Sequence, residues 1–214
     1  MARVRILLAD DHTIVRHGLR RMLEERPDWQ VVAEAQDGRE AIRLAEQHKP
    51  DVAVIDVAMP LLNGIETTRQ LVKRVPGLRV LVLSMHADEV YVTQILKAGA
   101  IGYLLKESAD VDLFHAVEAV AQGESFFSPS VARLMVDDYV RPKPEGGDRY
   151  ETLSAREREI FQLVAEAKTN KEIAALLGIS LTTVETHRAK ILLKLGLHSA
   201  AQIALYAVRR GVIR

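Results

Sequence analysis

Apolar and polar residues follow two alternating patterns along the first 125 residues, one typical of strands and one typical of helices. Short runs rich in aliphatic and β-branched residues predict five strands, at Val4–Ala9, Gln30–Glu34, Val52–Asp56, Arg79–Leu83 and Gly102–Leu104. Amphipathic stretches follow them, at Thr13–Glu25, Gly38–Gln47, Gly64–Arg74, Asp88–Ala98 and Asp110–Gln122. Five strand-then-helix units predict an α/β domain with a five-stranded, doubly wound parallel sheet, since strands as apolar as VAVI and VLVL are buried on both faces.

The pattern changes in residues 126–149, which separate two parts of the chain. Ser128–Ser130 can begin a short helix at Val131–Tyr139. Residues 141–148 contain two prolines, two glycines and few apolar residues, a composition typical of an exposed linker. We therefore expect three parts: a first domain over 1–125, a linker with a short helix over 126–149, and a second domain over 150–214.

The second domain is predicted to be all-α, with four helices and clear signals at their ends. Two helices begin at capping boxes, in which Glu follows Ser or Thr by three residues: Ser154 with Glu157 and Thr169 with Glu172. Glycines end the last three helices: Gly178, Gly196 and Gly211. Because only a short turn precedes the long helix Leu181–Leu195, this helix and the one before it have the form of a helix-turn-helix.

Composition and charge sharpen this division. Hydrophobic residues make up 48% of the chain and charged residues 27%, as in ordinary globular proteins, and no apolar run approaches the roughly 18 residues that suggest a membrane span. The absence of cysteine excludes disulfides, thiolate metal sites and cysteine nucleophiles, and it fits a cytoplasmic protein. Residues 1–125 hold 15 basic and 19 acidic side chains, whereas residues 150–214 hold 10 and 6, so we expect any nucleic acid to contact the second domain.

Chemically active side chains follow several strands of the first domain at the same end: Asp10 and Asp11, Asp56, Ser84 and Lys106. If the strand order is 2-1-3-4-5, the three carboxylates converge where open α/β sheets bind ligands. Clustered carboxylates repel one another, which a divalent cation such as Mg²⁺ relieves. One carboxylate can attack a phosphoryl group while Lys106 neutralises its oxygens and Ser84 hydrogen-bonds to one of them. Asp11 could alternatively do no more than cap the next helix.

Four segments, LLADDHTIVR, DVAVIDVAMPLLNGIE, VLVLSMH and GAIGYLLKES, resemble the receiver family of bacterial two-component systems across residues 1–123. The resemblance implies a flavodoxin-like fold in which Asp56 accepts a phosphoryl group from a sensor histidine kinase. It also implies that Asp11, Asp56 and the Ala58 carbonyl bind Mg²⁺, with Asp10 assisting.

The same resemblance assigns roles to three further residues. It implies that Lys106 pairs with the phosphoryl group, that Ser84 is the hydroxyl of the switch, and that Tyr103 is the aromatic that turns inward when the hydroxyl moves. Many receivers have proline after this lysine, where this chain has Glu107, so the backbone there can differ from theirs.

The long helix of the second domain presents one polar stripe, made of Thr182, Thr186, Ala189 and Leu193. Flanking side chains lie on both sides of it: Thr183, Lys190, Lys194 and Glu185. Such a face can enter the major groove of double-stranded DNA. The start of the preceding helix, at Thr169, Asn170 and Lys171, can bind a phosphate through its N–H groups. On charge alone, a solvated face of a helical bundle is the better interpretation.

Residues 150–214 also resemble the LuxR/FixJ-type four-helix DNA-binding domain, which favours DNA binding. The resemblance implies base contacts from Glu185, Thr186 and Ala189, and phosphate contacts from Thr183, His187, Lys190 and Lys194. Family members often have basic residues at such base-contacting positions, where this chain has Glu185 and Ala189. His187 can instead be a buried structural histidine. A zinc site is not expected, because the other histidines lack close ligand spacing.

The whole chain thus resembles a two-component response regulator of the NarL/FixJ type, in which phosphorylation of Asp56 controls sequence-specific DNA binding and transcription. By resemblance, the phosphorylated protein is a homodimer that uses the last helix, Ser199–Arg210. The apolar residues of that helix could alternatively only close the domain core: Ala200, Ile203, Ala204 and Ala207.

Two other functions are compatible with parts of the sequence. An aspartate nucleophile with Mg²⁺ also serves phosphohydrolases of the haloacid dehalogenase type. Those enzymes place a second aspartate two residues after the nucleophile on the first strand, where this chain has adjacent Asp10 and Asp11 and no insert for a cap. We therefore predict no enzyme activity beyond self-phosphorylation and self-dephosphorylation. The remaining alternative is a DNA-binding regulator that works without phosphorylation.

Overall fold

The computed structural model describes residues 3–85, 89–140 and 149–213, and the chain divides after Pro142 into two compact units. The predicted linker residues 141–148, and Asp88 at the predicted start of the fourth helix, lie outside the described residues. Among the described helices, none alone is long and apolar enough to cross a membrane, and only the pair Leu181–Leu195 and Ala200–Arg209, bent by 59°, meets the length and composition criteria jointly.

The first unit is built on a parallel sheet of six strands. In chain order these are β1 (Val4–Ala9), β2 (Trp29–Ala35), β3 (Val52–Asp56), β4 (Arg79–Ser84), β5 (Gly102–Leu105) and β6 (Phe126–Phe127). Their spatial order is β2-β1-β3-β4-β5-β6, which confirms the doubly wound arrangement predicted for the first five. The prediction of five strands is wrong by one, because β6 falls in the segment predicted to be a linker.

In the described part of the first unit, six α-helices accompany the sheet: α1 (Thr13–Leu23), α2 (Gly38–His48), α3 (Gly64–Arg74), α4 (Glu89–Ala98), α5 (Ala109–Gln122) and α6 (Pro129–Val140). Every residue of β3 is buried, which explains its continuously apolar sequence before Asp56. Ala53 and Ile55 belong to one hydrophobic core, and Val52 and Val54 belong to a second core on the other face. This strand therefore carries Asp56 rigidly to the carboxyl edge of the sheet.

Strand β6 and helix α6 belong to the first unit. Phe126–Phe127 pair with β5, and Ser128 extends this pairing. The Ser128 N–H donates to the Tyr103 carbonyl oxygen at 3.0 Å, and the Ser128 Oγ accepts from the Leu105 N–H at 3.0 Å. Val131 of α6 is fully buried in the same core as Tyr103. The first unit thus extends past the predicted boundary at residue 125, because a two-residue strand is too short to show an alternating pattern.

Over its described residues, 149–213, the second unit contains a short 3₁₀ helix, Arg149–Thr152, and four α-helices: α7 (Ala155–Ala165), α8 (Asn170–Leu177), α9 (Leu181–Leu195) and α10 (Ala200–Arg209). Both predicted capping boxes form, and glycines in the left-handed conformation end α8 and α9. Helix α7 ends before the predicted Ala167, whose φ of 60° lies in the left-handed region. Fully buried residues from all four helices form the core: Phe161, Ile173, Val184, Ile191 and Ile203.

Candidate functional site

The three predicted aspartates converge at the carboxyl edge of neighbouring strands β1 and β3. Asp10 and Asp56 are almost completely buried, at 2% and 3% exposure, whereas the Asp11 side chain is 28% exposed. One possible ligand atom from each aspartate and one from His12 all lie within 4.8 Å of one another. The strand order therefore brings together the carboxylates as predicted, and it adds a histidine that sequence reasoning missed.

Lys106, which follows β5, lies inside this group. Its Nζ is 2.7 Å from Asp10 Oδ2 and 3.0 Å from Asp56 Oδ1, and its side chain is only 11% exposed. One ammonium group neutralises one of the three carboxylates, which leaves a formal charge of −2 in a largely buried place. Such a charge is stabilised by a divalent cation, and the oxygen donors match those that Mg²⁺ prefers.

The backbone around Asp56 is held by the start of α3. The Gly64 N–H donates to the Val57 carbonyl oxygen at 2.8 Å, and the Asn63 side chain caps α3. A β-carbon at Gly64 would lie 2.1 Å from the Asp56 carbonyl oxygen, so only glycine allows this approach. The loop that contains Ala58 is therefore closed by tight backbone packing.

The predicted switch residues lie on β4, the neighbour of β3, and on β5, the next strand along the sheet. Ser84 ends β4 and is 1% exposed, and it pairs in register with Leu105, the residue before Lys106. Tyr103 on β5 is fully buried in the core, so in this structure its ring is turned inward. Lys106 begins a short 3₁₀ turn, Lys106–Ser108, that also contains Glu107.

Helix α9 of the second unit exposes five residues along the face predicted to contact DNA: Thr182, Glu185, Thr186, Ala189 and Lys190. Thr183 and His187 are half-buried. The Thr186 hydroxyl donates to the Thr182 carbonyl oxygen at 2.9 Å, and the Thr183 N–H is capped by Ser180. An open polar face of one helix can enter a major groove.

Contacts within the second unit involve other predicted DNA-binding residues. Thr169 and Glu172 cap the start of α8, where Lys171 is exposed. The Asn170 carboxamide oxygen accepts a hydrogen bond from Arg188 of α9, which sequence reasoning missed. This bond fixes α9 against α8, so Arg188 positions the proposed DNA-contacting helix.

Lys194 makes an internal ion pair. Its Nζ lies 2.6 Å from Glu157 Oε2 and 3.1 Å from the Thr152 carbonyl oxygen. The structure thus gives Lys194, which was predicted to contact a phosphate, a role in joining α9 to the start of α7.

Comparison with known proteins agrees with both units. The family "Response regulator receiver domain" matches residues 6–118, and the family "Bacterial regulatory proteins, luxR family" matches residues 151–207. This chain is a response regulator of the NarL type.

Relatives of this response regulator match it along almost its whole length. The transcriptional regulatory protein LiaR of Bacillus subtilis is 40% identical over 210 residues, which cover 98% of this chain and 99% of LiaR. The transcriptional regulatory protein DegU of Brevibacillus brevis is 37% identical over 228 residues, which cover 99% of this chain and 96% of DegU.

One of the similar solved structures is a complex with DNA. The complex of the two-component response regulator RcsB with DNA is 28% identical, has a TM-score of 0.61, and matches 96% of this chain and 98% of that one. This response regulator is therefore a transcription factor with a receiver and a LuxR-type DNA-binding domain. Its relatives are transcription regulators, in contrast to the phosphohydrolase alternative.

Proposed function

We propose that Asp56 accepts a phosphoryl group from a sensor histidine kinase, and that this reaction controls sequence-specific binding of α9 to double-stranded DNA. The observation that carries the proposal is the buried Asp56 carboxylate with Lys106 Nζ at 3.0 Å and two further aspartates beside it. The two proposed partners, the kinase and the DNA, imply that the protein acts in the bacterial cytoplasm.

The chemistry follows from the charges of this site. An Asp56 carboxylate oxygen attacks the phosphorus of phosphohistidine, a new O–P bond forms, and the P–N bond breaks with the electron pair leaving on the imidazole. Lys106 neutralises charge on the phosphoryl oxygens. Asp11, Asp56 and the Ala58 carbonyl would hold Mg²⁺, with Asp10 assisting, and the bound ion would supply further neutralisation.

Phosphorylation replaces the single negative charge of the Asp56 carboxylate, at this largely buried edge, with a phosphoryl group that carries about −1.5 to −2 charges at neutral pH. The added oxygens compete with Asp10 for Lys106 and can accept a hydrogen bond from Ser84, at the end of β4. Both residues adjoin β5, which carries Tyr103, so the charge change biases the conformation of that strand. This conformational change leads to a homodimer, and the two DNA-binding domains of the dimer contact two half-sites.

The first test is labelling by a small phosphodonor such as acetyl phosphate with radioactive phosphorus. Asp56→Asn should abolish labelling, and removal of divalent cations with a chelator should abolish it in the unmodified chain. Asp51→Asn is the matched control, because Asp51 lies just before the same strand and its Oδ2 accepts from the Arg5 N–H at 2.8 Å. Undiminished labelling of Asp56→Asn would refute the assignment.

The second test connects labelling to DNA. Beryllofluoride, a mimic of the phosphoryl group, should increase both the dimer fraction in analytical ultracentrifugation and the affinity for a target operator selected from random DNA. The Asp56→Asn variant should show neither response. Equal DNA affinity with and without beryllofluoride would instead support a regulator that works without phosphorylation.

A further inference from the structure

His12 lies at the acidic site although its sequence position showed no ligand spacing with other histidines. Its ring Nδ1 is 2.9 Å from Asp11 Oδ1 and 3.3 Å from Asp10 Oδ1. Its backbone N–H donates to Asp10 Oδ1 at 2.8 Å. His12 is the N-cap residue of α1, yet its side chain makes no capping hydrogen bond. The ring is thus directed at the carboxylates and not at the helix that it precedes.

We propose that His12 Nδ1 is a nitrogen ligand of the cation held by this site, so that the site selects first-row transition cations over Mg²⁺ more strongly than three carboxylates alone would. This inference rests on the divalent-cation site of the proposed function. Imidazole nitrogen suits the later transition metals, whereas Mg²⁺ prefers oxygen ligands and keeps several waters. A neutral imidazole also adds a ligand without adding negative charge.

The distances fit ligation by one ion. Two ligand atoms at right angles on a cation, with bonds of about 2.1 Å, are about 3.0 Å apart. The Nδ1 distances of 2.9 and 3.3 Å to the two aspartate oxygens are close to this value. The whole set of possible ligand atoms, including one from Asp56, lies within 4.8 Å.

Lys106 and His12 contact different oxygens of Asp10. Lys106 Nζ is paired with Oδ2, whereas the His12 backbone and ring both face Oδ1. A cation beside His12 can therefore bind Asp10 Oδ1 while Lys106 keeps its ion pair. When Nδ1 is the ligand, the ring carries its proton on Nε2, and the side chain is 47% exposed, so that proton can exchange with water.

The experiment measures the dissociation constants of Co²⁺ and of Mg²⁺ by calorimetry on the full chain, with each metal added alone. For His12→Gln we expect the Co²⁺ constant to rise at least about tenfold and the Mg²⁺ constant to change less than about twofold. His17→Gln is the matched control, because His17 is an exposed histidine on the same helix, and it should leave both constants unchanged. The proton NMR spectrum of the Co²⁺ form should contain one strongly shifted, exchangeable imidazole N–H signal that His12→Gln removes.

The inference is overturned if His12→Gln leaves the Co²⁺ constant unchanged, shifts both metals equally, or retains the shifted signal. Asp11→Asn separates this failure from that of the site itself. If Asp11→Asn weakens both metals but His12→Gln affects neither, only the role of His12 is wrong. If Asp11→Asn also leaves both constants unchanged, the proposed cation site is wrong.

Discussion

A substitution of Lys194 can show whether this lysine of α9 stabilises the folded domain or contacts DNA. Its partner Glu157 has a side chain that is only 4% exposed. Burial raises the pKa of Glu157, but hydrogen bonds from Lys194 and from Ser154 lower it more, so that it falls below its ordinary value of 4.5. A carboxylate that stays charged in a buried place depends on these two partners.

The substitution Lys194→Met keeps the apolar stem and removes the ammonium group. A hydrogen bond to a charged group contributes about 1.5–3 kcal/mol, and we expect the lower end, about 1.5 kcal/mol, because Lys194 is partly exposed to solvent. Glu157 also keeps the Ser154 N–H bond at 2.7 Å. A loss of about 1.4 kcal/mol makes local opening about tenfold more frequent.

Hydrogen–deuterium exchange of the full chain measures this effect locally. The most protected amides of α7 should exchange about tenfold faster in Lys194→Met, while the salt dependence of DNA binding stays unchanged. Lys190→Met is the matched control on the exposed face of α9. It should leave exchange unchanged and reduce the slope of log K against log salt by about 0.9, as expected for one lost phosphate contact. A reduced slope without faster exchange in Lys194→Met would refute the reasoning.

The same ion pair sets a dependence on pH. Because the pKa of Glu157 is lowered in the folded protein, its contribution to stability is complete above 4.5 and is lost as pH falls through the lowered folded value. Lys194→Met should therefore weaken the acid sensitivity of α7 below pH 4.5. An acid sensitivity equal to that of the unmodified chain would contradict the pairing.

Three further substitutions test the first unit by urea unfolding, followed by the fluorescence of the single tryptophan, which lies in β2. Gly64→Ala should cost about 3 kcal/mol or more, because its β-carbon would lie 2.1 Å from the Asp56 carbonyl oxygen. Gly18→Ala, where no atom lies within 4 Å, should instead stabilise by about 0.5–1 kcal/mol, and equal effects of the two would contradict the packing argument. Ser128→Ala should cost about 1–3 kcal/mol, since the buried Leu105 N–H loses its acceptor, and an unchanged midpoint would disprove that contact.

Sequence reasoning predicted those parts of the fold that depend on long, regular patterns. Strands that are buried on both faces, such as β3, have continuously apolar sequences, and side chains at their carboxyl ends meet at one edge whenever the strands are neighbours. The convergence of Asp10, Asp56 and Lys106 therefore followed once the strand order 2-1-3-4-5 was assumed, and the structure has that order. The capping boxes of α7 and α8 were equally local, and both form.

The features that sequence reasoning missed depend on contacts between distant residues or on very short elements. Lys194 is 37 residues from Glu157 in the sequence, so no local pattern distinguished it from an exposed lysine that contacts DNA. The contact between Arg188 and Asn170 was missed for the same reason, because 18 residues separate them in the sequence. His12 gained its place from the turn that follows β1, and no spacing pattern among the histidines pointed to it.

The attachment of β6 and α6 matters for anyone who exchanges receiver domains between regulators. A fragment cut at residue 125 would bare one whole side of β5 and remove Val131 from the core around Tyr103. Unpaired strand edges and uncovered aromatic rings promote association between copies. The transplantable piece is therefore the chain through α6, and a hybrid protein should be joined after Val140.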